Sequence, residues 1–234
     1  MNKPPNYYSY QCPYCMQTVY SVPAIGQSYF ISSANPISIK KVEKKLSTPY
    51  VQADLQIPVV EGNIDAGIKS FMNRSFENDI MEFYNQLNEA GRESRREAPF
   101  IISNIYRVTY NKNNLLSLSI LYNEYDQRNH AYIKAPYNYN IITGKALGLR
   151  DVFKPGVNYV QLINNEIKKQ PGMQGFPGIA ADQPYYMEDN HLVVFLKFNA
   201  LAPTEDKLPV VKIPLSTLNN NIRSEYLDWL TKRV

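Results

Sequence analysis

A long apolar stripe between Asn63 and Gly91 constrains the fold more than any other feature of the chain. Large apolar side chains recur there every three or four positions: Ile64, Ile68, Phe71, Met72, Phe76, Ile80, Phe83 and Leu87. This spacing predicts one amphipathic helix, capped by Asn63 and ended by Gly91, whose stripe serves core packing. Because the stripe is too wide for one hairpin to cover, we expect residues 37 to 90 and 100 to 234 to share one core.

Alternating apolar residues predict strands on both sides of this helix. Before it, Ile37 to Val42 and Tyr50 to Ile57 form a predicted hairpin that turns at Ser47 to Pro49, and Pro58 is expected to end the second strand. After a charged linker from Gly91 to Pro99, three further segments alternate in the same way and are separated by turn residues. They predict a three-stranded antiparallel meander: Phe100 to Tyr110, Leu115 to Tyr125 and Ala131 to Ile142.

The last hundred residues continue with short helices and strands. We predict a helical turn at Leu149 to Phe153, a helix from Asn158 to Lys169, a hairpin of Tyr185 to Met187 with Leu192 to Phe198, and a strand at Val210 to Ile213. A terminal helix capped by Ser216 would carry Leu218, Ile222, Tyr226, Leu227 and Leu230. Strands interleaved with few helices predict an α+β fold, with antiparallel sheets packed against the long helix and the C-terminal helix.

Residues 1 to 35 differ from the rest, because they are rich in Tyr and Pro and show no helical or strand period. This predicted irregular arm holds both cysteines, Cys12 and Cys15, in the tetrapeptide CPYC. The spacing matches a glutaredoxin-type redox motif, but Met16 to Pro23 favours an extended segment where that motif needs a helix. Half of a zinc site and a plain pair of thiols or a local disulfide stay open. The arm is followed by predicted modules at 36–98 and 99–234.

Three segments of the second half occur in a fixed order: Tyr137 to Lys145, Leu149 to Gly156, and His191 to Leu215 with its Ala202-Pro203 pair. Together they resemble the C-terminal module shared by the lysozyme-sensing anti-sigma factor RsiV and the non-catalytic region of the peptidoglycan deacetylase PdaC. The order of strand, Pro58 to Gly62 and helix is similar to the module that precedes it in this family. The resemblance implies a binding or sensing module of a bacterial envelope or spore.

Composition and motifs favour binding over catalysis. The chain has 19 tyrosines, which suit surfaces that are partly buried and partly wet. Its net charge is only +4 and is spread along the sequence, which does not favour nucleic acid as a partner. Neither a nucleophile with a nearby base nor a phosphate-binding loop can be recognised, so we predict no enzyme, no cofactor and no metal. Nor is there an apolar run of the ~20 residues that membrane insertion requires.

The predicted binding site is the loop between the second and third meander strands, with Tyr125, Asp126, Arg128 and His130. Relatives carry a glycine-rich loop with a histidine there, and His130 is the candidate counterpart. This chain has no glycine in that loop, which weakens the transfer of lysozyme recognition from the resemblance. A protein or cell-wall ligand is the predicted partner. Two alternatives stay open: His130 is a hairpin-tip residue without a role, or the chain is a structural protein of a spore or envelope layer that assembles through its arm.

Overall fold

A computed structural model describes residues 35–197, 201–218 and 220–226. Within these residues the chain forms eight strands and four α-helices, which confirms the α+β class. The strands are β1 (Ile37–Ser47), β2 (Val51–Gly62), β3 (Phe100–Lys112), β4 (Leu115–Tyr125), β5 (His130–Asn140), β6 (Tyr185–Met187), β7 (His191–Phe195) and β8 (Val210–Pro214). The helices are α1 (Ala66–Glu93), α2 (Leu149–Val152), α3 (Tyr159–Lys168) and α4 (Leu215–Leu218). Both cysteines lie outside the described residues.

The strands form two sheets. The larger has the order β1-β2-β3-β4-β5, and the smaller has the order β6-β7-β8. All pairs are antiparallel except β2 with β3, which run parallel for four residues from Val51 to Asp54. The predicted meander and both predicted hairpins are therefore present. The parallel pair joins the first hairpin to the meander and follows from the long crossover helix between β2 and β3.

The prediction that Pro58 ends the second strand is wrong, because β2 continues to Gly62. Among the residues that the structure describes, the edge of β2 that faces away from β1 has no strand partner beyond Asp54. Two asparagine side chains replace the missing strand. The Asn104 amide accepts from the Gln56 N–H at 3.0 Å and donates to the Gln56 carbonyl at 2.7 Å. The Asn73 amide of α1 accepts from the Val60 N–H at 2.7 Å and donates to the Val60 carbonyl at 3.3 Å. Pro58 lies between them on this edge, where its missing N–H leaves no strand partner unsatisfied.

Helix α1 differs from the prediction at both ends. Its N-cap is Asp65, not Asn63, and the Asp65 carboxylate accepts a hydrogen bond from the Ile68 N–H at 2.9 Å. Gly91 does not end the helix, which continues to Glu93. A Cβ at Gly91 would lie 2.7 Å from the Cβ of Tyr50, so glycine is needed there for close packing against the turn between β1 and β2.

Two large hydrophobic clusters occupy opposite faces of the larger sheet. On one face α1 buries Met72, Phe76, Ile80 and Phe83 against side chains of β2 to β5, although Phe71 of the same stripe stays 42% exposed. On the other face the smaller sheet packs over one end of β3 to β5, together with α2, α3 and α4. The first cluster thus takes residues from both sides of the linker at 91–99.

The C-terminal helix is shorter than predicted in the part of the chain that the structure describes. Helix α4 begins at Leu215, one residue before the predicted cap Ser216, and ends after a single turn. Asn220 and Asn221 then form a turn, as expected of side chains that compete for backbone hydrogen bonds. Ile222 pairs with Phe153, and a 3₁₀ turn follows at Ser224–Tyr226. Leu227 and Leu230 lie outside the described residues.

Candidate binding surface

The hairpin that joins β4 to β5 presents part of one sheet face to solvent. Cross-strand pairing aligns Ile101 with Tyr125 and His130 in one row, and places Asn123 opposite Tyr132 in the next. A third row contains Ile105. We call this group the tip surface: Ile101, Ile105, Asn123, Tyr125, His130 and Tyr132. It lies on the same face as the smaller sheet but at the opposite end of β3 to β5.

Aliphatic side chains are unusually exposed on the tip surface. Ile101 is 42% and Ile105 is 44% exposed. Leu121, in the same row as Ile105, is only 7% exposed, because Ala202, Leu208 and Tyr132 cover it. The chain from 202 to 208 therefore forms one border of the tip surface and leaves the two isoleucines uncovered.

Three rings are arranged along the edge of this surface. The rings of Tyr125 and His130 stack at 4.6 Å with an angle of 21°, and the ring of Tyr132 lies 6.1 Å beyond His130 at 20°. The His130 Nδ1 lies 3.2 Å from the Asn123 Oδ1, which fixes the orientation of the imidazole. His130 is exposed, and both tyrosines are half-buried. The three rings thus form an ordered, partly exposed row along the edge of the tip surface.

Asp126 organises the loop itself. Its Oδ1 accepts hydrogen bonds from the N–H groups of Arg128 at 2.9 Å and Asn129 at 2.7 Å. Partial burial acts to raise the pKa of the Asp126 carboxyl, but these two bonds and the nearby arginines outweigh it, so the pKa lies below its usual value. The result is an Asx turn, with Gln127 at φ 77°, that contains no glycine.

Contacts from the segment between α1 and β3 hold the loop in place. The Arg96 guanidinium donates to the Asp126 carbonyl at 2.7 Å and lies 4.0 Å from the Phe100 ring centroid. The Gln127 side chain donates to the Pro99 carbonyl at 2.8 Å. Arg96 also stands near Glu124, where burial raises the pKa of the carboxyl above its usual value. The tip is therefore anchored at several points and presents a defined shape.

The structure brings the predicted residues Tyr125, Arg128 and His130 to one exposed tip, while Asp126 holds the turn. Sequence reasoning missed the other members of the surface, Ile101, Ile105, Asn123 and Tyr132. Strand alternation could have identified Asn123 and Tyr132. Asn123 is two residues before Tyr125, and Tyr132 is two residues after His130, so each lies on the same face as its predicted neighbour. Their alignment with Ile101 required the register of β3 against β4.

An open groove of about 370 Å³ lies at the other end of β3, between Arg107 to Thr109 and Glu188 to His191. Its acidic residues are already paired: Lys112 bonds Asp189 at 2.8 Å, and Lys212 bonds Glu188 at 2.8 Å. Within the described residues, no three His, Cys, Asp or Glu side chains gather as a metal site. Among the helices that the structure describes, none is long and apolar enough to cross a membrane.

Residues 44–126 match the sequence profile of a family described as "Deacetylase PdaC", which is less than half of the chain. The fold is similar to that of a DUF3298 family member from Bacteroides fragilis NCTC 9343, with 12% identity, a TM-score of 0.56, and coverage of 83% of this chain and 96% of that chain. It is also similar to a DUF3298 family protein from Pseudomonas aeruginosa PAO1, with 13% identity, a TM-score of 0.56, and coverage of 82% and 96%. No curated protein matches the sequence.

These matches confirm the resemblance to a PdaC- and RsiV-type module that the sequence predicted. At 12% and 13% identity the two crystal structures show the fold alone. The profile match runs from the middle of β1 to Asp126, so it includes the long helix and ends at the first residue of the tip loop.

Proposed function

We propose that this chain is a non-catalytic binding module of a bacterial envelope or spore, and that it contacts its ligand through the tip surface. The observation that carries the proposal is the pair of exposed isoleucines, Ile101 and Ile105, beside three fixed rings. Exposed aliphatic groups next to aromatic rings and an arginine have the composition of a protein interface core. A protein ligand is therefore favoured over a cell-wall polymer.

Rigidity supports the same proposal. The turn bonds of Asp126, the Arg96 contact and the Gln127 contact fix the loop before any ligand arrives. Binding then loses little conformational entropy at the loop, which raises affinity for a given set of contacts. Arg128 is exposed in this turn, where an anionic group of a partner could pair with it.

A crosslinking experiment tests the proposal. A photoreactive residue at position 128 is expected to capture an envelope or spore protein, and replacing Ile101 and His130 by alanine should reduce the yield at least tenfold, since interface anchors each contribute ~1 to 3 kcal/mol. The matched control carries the photoreactive residue at exposed Arg150, at the other end of the molecule. Equal capture of the same partner from position 150 would contradict the proposal.

Two further measurements separate the other ligand and function classes. Co-sedimentation with purified peptidoglycan that depends on Arg128 and His130 would identify a cell-wall polymer as the ligand. Turnover of peptidoglycan fragments or acetylated sugars, lost on substitution of His130, would make the tip an active site and overturn the binding role. Formation of large assemblies that requires residues 1 to 35 would instead support a structural protein of a spore or envelope layer.

A further inference from the structure

Helix α1 carries an ionisable group into the larger hydrophobic cluster. Asp79 is only 6% exposed, and its neighbours along the buried face of the helix are Phe76, Ile80 and Phe83. Its Oδ2 accepts a hydrogen bond from the Tyr137 hydroxyl at 2.7 Å. Its Oδ1 is buried without a hydrogen-bond partner among the described residues. A carboxylate with one oxygen unsatisfied in an apolar core is costly in its charged form.

The groups around Asp79 do not neutralise its charge. On its own helix, half-buried Glu82 adds a second negative charge. Strand β5 contributes Tyr137. The Tyr137 hydroxyl lies 3.4 Å from the hydroxyl of Tyr122 on β4. Strand β3 turns Tyr106 toward the same side of the sheet.

Within the described part of the chain, the two remaining strands on this side supply no unpaired cation, since Lys40 of β1 pairs with Glu61 at 2.5 Å. Core side chains of β2 are apolar, with Leu55 and Ile57 buried in the same cluster. Strand β1 reaches α1 through Lys44, which pairs with Glu77 at 3.5 Å. Among the described residues, the only hydrogen-bond partner of the Asp79 carboxyl is therefore a neutral hydroxyl.

Hydrogen-bond geometry accommodates a proton on this carboxyl. A proton on Oδ2 would donate to the Tyr137 hydroxyl oxygen, and the Tyr137 hydroxyl could then turn its hydrogen toward the Tyr122 oxygen. Protonation thus removes the buried charge and keeps the chain of bonds from Asp79 to Tyr122. Loss of the proton restores a buried anion that has a single donor.

We propose that the packing of α1 on the larger sheet is a proton-sensitive contact, tightened when Asp79 is protonated and loosened when it is ionised. Burial, opposed by the Tyr137 bond and assisted by Glu82, raises the pKa of Asp79 from 3.8 to about 6. The folded state then binds more protons than the unfolded state between these two values. Stability is accordingly lost as pH rises from about 4 through about 6, and the loss is complete above about 7.

Unfolding by urea at different pH values tests this contact. We would compare the wild type with Asp79→Asn, which keeps the shape and removes the titration, and with Asp182→Asn as the exposed control. Between about pH 5 and about pH 7.5 the unfolding equilibrium constant of the wild type should rise roughly tenfold relative to that of Asp79→Asn. Asp182→Asn should follow the wild type. Parallel profiles for the wild type and Asp79→Asn would overturn the proposal.

A local measurement shows whether the helix contact responds and serves equally if Asp79→Asn fails to fold. The ¹³C shift of the wild-type Asp79 carboxyl should titrate near pH 6, and amides of α1 should lose exchange protection across the same range after correction for the intrinsic rate. Amides of α3, on the other face of the sheet, should keep theirs. A titration midpoint of the Asp79 carboxyl near pH 3.8, or equal changes of exchange protection in α1 and α3, would exclude a proton-sensitive α1 contact.

Discussion

The two faces of the β4–β5 pair bury polar groups in opposite ways. On the side of the smaller sheet, the Ser117 hydroxyl donates to Asn138 at 2.6 Å and accepts from the Met187 N–H at 2.9 Å. The Asn138 amide in turn donates to the Tyr185 carbonyl at 2.8 Å. On the side of α1, Asp79 has one donor and one unsatisfied oxygen. The neutral side chains of Ser117 and Asn138 are paired on one face, and the ionisable carboxyl of Asp79 on the other has an unsatisfied oxygen.

This difference assigns different roles to the two packing contacts. Ser117 and Asn138 tie the smaller sheet to the larger one through bonds that do not involve titratable groups, so the strength of that contact is constant over ordinary pH. The α1 contact depends on the ionisation of one carboxyl. Since satisfied polar networks specify a unique packing while unsatisfied groups cost stability, we expect the contact made by Ser117 and Asn138 to be the more rigid of the two.

The largest expected effect comes from breaking the paired side. Asn138→Ala leaves the Ser117 hydroxyl without its acceptor and the Tyr185 carbonyl without its donor, and both are buried. We expect a loss of ~3 kcal/mol in the free energy of unfolding. Urea unfolding at two pH values, one on each side of 6, should give the same loss at both. Asn165→Ala, at an exposed position, is the control. A comparable loss of stability in that variant would show that the effect of Asn138→Ala does not come from its buried hydrogen bonds.

A smaller effect is expected on the unpaired side, and it should vary with pH. Tyr137→Phe removes the bond that lowers the pKa of Asp79, so that pKa rises further and the ionised form becomes less stable. The expected loss is ~2 kcal/mol at about pH 7.5 and less at about pH 5, where the folded carboxyl is already mostly protonated. The measurement is again urea unfolding at both pH values.

Tyr185→Phe is the matched control for this substitution. Its hydroxyl is also buried but donates to a neutral acceptor, the Leu147 carbonyl at 3.2 Å. Burial raises the pKa of the Tyr185 hydroxyl well above its usual value, so it stays neutral in this range. The loss in the free energy of unfolding caused by Tyr185→Phe should therefore not change with pH. If the losses for Tyr137→Phe and Tyr185→Phe depend on pH in the same way, the contrast between the two faces is wrong.

Most elements of the fold could be predicted from the sequence because their periods are strong and local. The α1 stripe, the meander and the β6–β7 hairpin are of this kind. Two of the errors have a common cause in long-range contacts. Pro58 was expected to end a strand, but Asn104 and Asn73, each more than ten residues away, continue its edge. Gly91 was expected to end a helix, but it is needed for contact with Tyr50.

The candidate site divides in the same way. Tyr125 to His130 could be selected as a polar loop between two strands, since loop position is local information. Ile101 and Ile105 could not, because their exposure depends on how far the chain from 202 to 208 extends over the sheet. Asp79 was hidden for another reason. An aspartate in an amphipathic helix predicts a solvent-facing position, and only the packing of β5 shows that it points at Tyr137.

The smallest predicted effect sharpens the comparison within a single strand. Ser119 lies two residues after Ser117 on the same face of β4 and is 1% exposed, yet its hydroxyl has no partner among the described residues. Ser119→Ala removes an unsatisfied polar group, so we expect unfolding to require ~0.5 to 1 kcal/mol more free energy at any pH. Ser117→Ala should instead cost ~2 kcal/mol, because it strips Met187 and Asn138 of their partner. The two hydroxyls differ in pairing but not in burial, so thermal unfolding of the two variants measures the effect of pairing. Equal losses of stability in both variants would show that burial alone determines the effect.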